Sequence, residues 1–291
     1  MKKQRNRLLL GLVFMLIEAC RLGTVNATEG GGSNYLPGFY GDFGMAIFPG
    51  PGTYFNNFFA AYRDQYDDTG TLLEMPGILH VSEQRWLGGE YVSGLFPALL
   101  ATRDVSGQND YARVALGDFY FVPGGLHWQE EAFSVFIFEG VVAPTGYYRK
   151  NDFNTGRNYW SFDHNALLTF NFPGNNELSM AIGYMNNLEN PATDYQSGDE
   201  FHFDYHVGHY LNERWAVGLS GSHYRQVTAD SAPAETPQGA AVSASSIGPV
   251  LMYTPKIGDR DVSISLKWLY EFEAEGRKPQ EYLLCRLMLA F

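Results

Sequence analysis

The sequence predicts an all-β chain: an antiparallel transmembrane β-barrel of about twelve strands, preceded by an N-terminal Gly/Pro-rich lead-in or plug. Three observations predict it. Apolar and polar residues alternate with period two through most of the chain. Beyond the first residues no apolar run reaches the roughly 20 residues a membrane helix needs. The segments between alternating stretches fall into two classes, long after odd-numbered strands and mostly short after even-numbered ones, the arrangement of a single-chain membrane barrel with both termini on one side.

Composition agrees. The chain carries 19 Tyr, 21 Phe and 32 Gly, and 45% of its residues are hydrophobic, yet its mean hydropathy is negative. Strands that face lipid on one side only have this balance, and so does a soluble all-β protein. The net charge of −12 comes with no basic stripe, which excludes a nucleic-acid partner.

From the N-terminus, the basic start Lys2-Lys3-Gln4-Arg5, the apolar run Leu8 to Ile17 and the small-residue end Val25-Asn26-Ala27 read as a cleaved signal peptide over 1–27. A permanent anchor is the rival reading of that run, and a lipid-modified Cys20 is another. With the leader removed only Cys285 remains, so no intramolecular disulfide can form. Residues 28–52, with Gly30-Gly31-Gly32 and Pro49-Gly50-Pro51-Gly52, are not a spanning strand. They form a periplasmic lead-in or a lumen plug, and partial insertion into the lumen is favoured.

The barrel domain is expected over 53–291. Its first five strands fall near 53–63, 78–86, 89–102, 111–122 and 131–143, where the alternation is uneven. Clearer are 158–172, 176–188, 198–210, 214–226, 242–253, 261–271 and 281–291. In the eleventh, Val262, Ile264, Leu266, Trp268 and Tyr270 oppose Ser263, Ser265, Lys267 and Glu271. The long connections are expected at 64–77, 103–110, 144–157, 189–197, 227–241 and 272–280. A turn over Pro123 to Glu130 breaks the parity and is expected to fold back under the barrel. The last strand alternates to a terminal aromatic residue, Phe291. It resembles the final strand of bacterial outer-membrane barrels, which implies barrel assembly machinery and outer-membrane lipid as partners.

Several stretches carry a further resemblance: Tyr35-Leu36-Pro37-Gly38-Phe39-Tyr40-Gly41-Asp42-Phe43-Gly44, Leu116-Gly117-Asp118 with Pro123, Ala143-Pro144-Thr145-Gly146 and Gly156-Arg157-Asn158-Tyr159-Trp160. Asn190 to Tyr195, Ser197-Gly198-Asp199 and Gly248-Pro249 follow in order. On these the chain resembles a family of exported proteins associated with the meta-cleavage pathway of phenol degradation. The resemblance implies an outer-membrane transporter for aromatic or other hydrophobic solutes.

The candidate lumen residues come from the polar faces of the strands. Glu200, His202, Asp204 and His206 share one face of one strand, Asp163 and Asn165 line another, and Lys267 and Arg286 lie on two more. Carboxylate and imidazole together can bind a metal, relay protons or hydrogen-bond a phenolic hydroxyl. They equally suit a solvated polar wall stabilised by Lys267 and Arg286 across the pore. Tyr147, Tyr148 and Tyr159 suit an aromatic entrance or an interfacial girdle. Asp194 and Tyr195 lie in a turn-rich loop expected to cap the barrel mouth. The facing of Phe58, Phe133 and Phe138 stays open.

A lipase-like enzyme would need a nucleophile and base within reach. Ser222-His223 is the obvious pair, but neighbours on a strand point to opposite faces. The expectation is therefore a monomeric passive channel or diffusion facilitator for small hydrophobic or aromatic solutes, with no catalysis, cofactor or metal.

Overall fold

The computed structural model describes residues 29, 32–106, 109–234, 241–258 and 260–290. The leader expected over 1–27 and the terminal Phe291 lie outside the described residues. The strands are β1 (Gly52–Asp64), β2 (Gly70–Trp86), β3 (Gly89–Phe96), β4 (Leu99–Ser106), β5 (Asn109–Leu116), β6 (Phe119–Gln129), β7 (Phe133–Ala143), β8 (Ser161–Phe172) and β9 (Asn176–Asn187). After them come β10 (Glu189–Asn190), β11 (Tyr195–Gln196), β12 (Glu200–Tyr210), β13 (Trp215–Gln226), β14 (Ser243–Tyr253), β15 (Lys256–Ile257), β16 (Arg260–Glu275) and β17 (Gln280–Ala290).

The sheet closes because β1 pairs with both β2 and β17, Phe59 lying opposite Glu74 on one side and Cys285 on the other. β3 and β4 run in line along β2, and β5 and β6 run in line beside them. Counting each in-line pair as one stave, the barrel has 12 antiparallel staves. Closure leaves the membrane-facing backbone without a free edge, which lipid demands. Leu72, Ile78, Ile137, Val207, Leu219 and Leu266 stand exposed on the outer surface. Their strand neighbours Leu73, Leu79, Phe136, His206, Ser220 and Lys267 are buried inside.

Three expected boundaries are corrected. β2 begins at Gly70 and β16 runs to Glu275, so the connections expected over 64–77 and 272–280 shrink to 65–69 and 276–279. Those strand ends rise toward water, where the outward face no longer has to be apolar, and Glu74 and Glu273 interrupt the pattern without ending the strand. The turn expected over Pro123 to Glu130 is strand. β6 continues to Gln129 through a bulge between Phe121 and Gly124, which accommodates the N–H that Pro123 lacks. Most lower turns are short, and at Leu87-Gly88 both residues are left-handed, with φ of 52° and 81°, the geometry of a two-residue hairpin turn.

At the upper end, β7 stops at Ala143 opposite Phe119, so the edge of β5 continues without a strand beside it. The following loop covers it instead. Tyr147 N and Thr155 Oγ1 both donate to Leu116 O, at 2.9 and 2.8 Å. Arg113 pairs with Asp152 at 3.0 Å and sits 4.0 Å from the Tyr147 ring centre. This seam is closed by loop contacts where the rest of the wall is closed by ladders.

Candidate functional site

Residues 33–49 run down the inside of the barrel without regular structure. A chain inside a closed barrel still needs partners for its backbone and polar groups. The inward faces of the staves supply them. From the top, the Ser33 hydroxyl donates to Glu200, Asn34 Nδ2 donates to Ser161 Oγ at 2.8 Å, and Tyr35 OH donates to Asp204 Oδ2 at 2.7 Å. Midway, Lys267 Nζ donates to Gly41 O at 2.6 Å, Ser265 bonds Asp42, and Arg286 Nη2 donates to Phe43 O at 3.0 Å. Lower down, Gly44 N donates to Glu177 Oε1 at 2.7 Å, and Ala46 N donates to Thr169 Oγ1 at 3.1 Å. His127 Nε2 lies 3.0 Å from Ala46 O.

The ladder Glu200, His202, Asp204, His206 therefore points inward but does not face an open aqueous lumen. All four residues are fully buried. His202 Nε2 lies 2.8 Å from Asp163 Oδ1, and its ring is the third in a stack through the lumen. Tyr224 and Tyr35 lie 5.7 Å apart at 18°, Tyr35 and His202 4.1 Å apart at 14°, and His202 and Tyr40 6.0 Å apart at 10°. His206 meets Ser220 Oγ at 3.0 Å and the Phe43 ring at 4.1 Å. Lys267 and Arg286 do not span the pore to the ladder; both hold the lumen segment. Asn165 Nδ2 donates to Asp163 O at 3.0 Å. No group of three His, Cys, Asp or Glu among the described residues is arranged to hold a metal ion.

Two chambers remain beside the lumen segment. The upper one, about 280 Å³, lies among Leu36, Leu73, Met75, Leu100 and Tyr224, with Asp118, Arg157, Asp163 and Arg277 as charged wall groups. The lower one, about 250 Å³, is walled by Phe48, Phe58, Phe96, Phe136 and Phe138 and touched by Arg286. Phe58 and Phe138 thus face the lumen, while Phe133 is exposed on the outside. Of the eight lumen candidates, Asp163 and Arg286 reach a chamber. An apolar cavity of about 150 Å³ takes up benzene, so each chamber has room for a single-ring aromatic.

The loop candidates do not assemble at a chamber mouth. Tyr147 stands over Arg113 and donates to Asp152 Oδ2 at 2.8 Å. Tyr148 OH accepts from Asn190 Nδ2 at 2.9 Å, and Tyr159 is buried. Tyr195 donates to Asp230, which also accepts from Gly198 N and Gln226 Nε2, each at 2.7 Å. Asp194 is a positive-φ turn residue whose N–H bonds Asn190 O at 2.9 Å. These groups build a polar cap above the lumen. Ser222 faces inward to Ser246 at 2.7 Å and His223 outward to Ser245 at 3.0 Å, so the two form no dyad.

Sequence reasoning missed Tyr35, Phe39, Tyr40, Asp42 and Tyr120. The signal was present: a segment too rich in Gly and Pro to be a strand carries four aromatic rings and an aspartate within nine residues, Tyr35 to Phe43, more than a solvated linker needs.

A closed antiparallel barrel, apolar outside and partly filled by its own N-terminal segment, has the fold of an outer-membrane β-barrel. The fold is similar to that of an outer-membrane channel from Pseudomonas putida F1, at a TM-score of 0.66 and 13% identity, covering 89% of this chain and 100% of that one. More remote likenesses are the NanC porin, with a TM-score of 0.43, 8% identity and coverage of 81% and 98%, and the β domain of the Bordetella autotransporter BrkA, with 0.45, 7%, 83% and 100%. Comparison with curated protein sequences gives no match. The chain belongs to the family described as "Putative MetA-pathway of phenol degradation", whose model matches residues 67–286.

Proposed function

We propose that this barrel is a passive channel or diffusion facilitator that carries small hydrophobic or aromatic compounds across the outer membrane toward their degradation, without catalysis. The observation that carries the reading is the lower chamber, walled by Phe48, Phe58, Phe96, Phe136 and Phe138, which shares Phe39, Tyr40 and Tyr120 with the more polar upper chamber. A hydrophilic solute would gain little in the lower chamber, whose wall is largely aromatic and aliphatic. An apolar ring would exchange water for aromatic surface. The lumen segment acts as a plug and excludes high unselective flux. The upper end faces the outside and the short turns face the periplasm, to which a cleaved leader delivers the chain.

The test is uptake of labelled aromatic, alkane, fatty-acid and sugar solutes into proteoliposomes holding the refolded mature chain, against empty liposomes. Flux confined to apolar and aromatic solutes supports the reading. Equal flux of sugars, or no flux of any solute through a folded barrel, overturns it.

A further inference from the structure

Among the described residues, Phe39, Tyr40 and Tyr120 alone line both chambers. Tyr40 is itself a phenol carried on a short loop. Its hydroxyl lies 2.9 Å from that of Tyr120 and reaches Asp163 Oδ2 at 3.4 Å, while Tyr120 OH donates to the same oxygen at 3.1 Å. The ring is stacked on His202 at 6.0 Å and meets Phe39 edge-on at 5.4 Å. Planar aromatic walls and a carboxylate oxygen at the position of the hydroxyl are what a site for a free phenol needs.

We infer that Tyr40 occupies, as a built-in surrogate, a binding site for the phenolic hydroxyl of the solute, so that a phenol entering the upper chamber displaces Tyr40 and joins the two chambers. The site rests on the transport reading for its solute class but not for its test, which is equilibrium binding. Asp163 is the acceptor, and it faces the upper chamber. Tyr120 fixes the hydroxyl's position from the side. The displaced residue is flanked by glycines: Gly38 holds φ at +77°, a conformation most residues avoid, and Gly41 follows Tyr40. Below Gly41 the segment stays fixed, because Asp42, Phe43 and Gly44 are bonded to Ser265, Arg286 and Glu177. Displacement needs only the Tyr40 turn to shift, with the rest of the plug in place. An aromatic without a hydroxyl gains the same ring contacts but not the bond to Asp163, so the site selects phenols over plain arenes.

The experiment is calorimetric titration of phenol, and separately of toluene, into the full mature chain folded in detergent, as wild type, Tyr40→Ala, Tyr40→Ala/Asp163→Asn and Tyr40→Ala/Tyr120→Phe. Heat-modifiable gel migration verifies folding of each. Tyr40→Ala is expected to bind phenol at least ten-fold more tightly than wild type, and to favour phenol over toluene by about ten-fold, the worth of one charge-assisted hydrogen bond. Both second substitutions should erase most of that preference and leave toluene binding unchanged. Tyr120→Phe leaves the Asp163–His202 pair intact and so serves if Asp163→Asn fails to fold. Equal phenol affinity for wild type and Tyr40→Ala overturns the inference, and so does a phenol preference insensitive to both second substitutions. If binding follows expectation while Tyr40→Ala carries no flux in proteoliposomes, the site stands and the transport reading falls.

Discussion

Arg286, on the last strand, reaches Asp42 on the lumen segment at 3.5 Å and, through Nη2, the carbonyl of the next residue, Phe43, at 3.0 Å. The lumen segment is thereby tied to the last strand inside the barrel. Arg286→Leu leaves Asp42 with Ser265 and the charge of Lys267 in a buried site. Breaking such a pair by removing one partner is expected to cost about 3 kcal/mol of unfolding free energy. Adding Asp42→Asn should recover at least half of it. Urea unfolding in detergent measures both, and hydrogen exchange over residues 39–46 should rise in the single variant. Unchanged exchange would mean that the backbone contacts alone hold the segment.

Gly183 on β9 lies opposite His202, and a Cβ there would stand 1.9 Å from the imidazole Cε1. The ring has nowhere to go, being stacked on Tyr35 and bonded to Asp163. Gly183→Ala is expected to lower stability by about 1 to 3 kcal/mol through overpacking and to raise exchange over residues 33–40. Wild-type values for both would show that His202 swings aside at no cost.

On the outer face, His164 Nδ1 lies 2.6 Å from Glu139 Oε2 and Nε2 lies 2.9 Å from Asn186 Oδ1. It shares its face of β8 with the apolar Phe162, Ala166 and Leu168. His164→Leu alone exposes a carboxylate to lipid and is expected to destabilise the barrel by about 1 to 3 kcal/mol. Glu139→Leu/His164→Leu should return to wild-type stability or better, since an apolar pair is at home in lipid. A double variant as unstable as the single one would point to a role for the pair beyond mutual compensation.

Between the upper loops, the Lys278 ammonium bonded to Asp67, with the Thr69 N–H donated at 2.8 Å, holds the Asp67 carboxyl down to about 2 from its ordinary 3.8. A folded value below the unfolded one means that the stabilisation is present above about pH 4 and is lost as pH falls through about 2. Lys278→Ala should return the Asp67 midpoint toward 3.8 in a carboxyl NMR titration. A midpoint that stays put would assign the shift to the Thr69 bonds. The pair is exposed, so little global stability is expected to change.

The barrel was legible in the sequence because lipid outside and a polar lumen inside impose one rule on every spanning residue. Val262 to Tyr270 follow it residue by residue, and Trp160 to Phe172 follow it except at His164. Where the rule lapses, boundaries were misplaced: the upper ends of β2 and β16 leave the lipid, and Pro123 is absorbed by a bulge that two-residue periodicity cannot encode. The inward ladder of Glu200 to His206 was legible as a face but not as a site, because alternation says which way a side chain points and not what it meets.

The sequence by itself determined a β-barrel of about twelve strands, its facing and its family resemblance, all of which depend on local spacing and composition. Only the tertiary structure decided that Tyr35, Tyr40 and Asp42 bond Asp204, Tyr120 and Ser265 across separations of 169, 80 and 223 residues. Those partners are set by how an irregular segment satisfies its polar groups inside a closed wall, and no periodicity along the chain records contacts made across it.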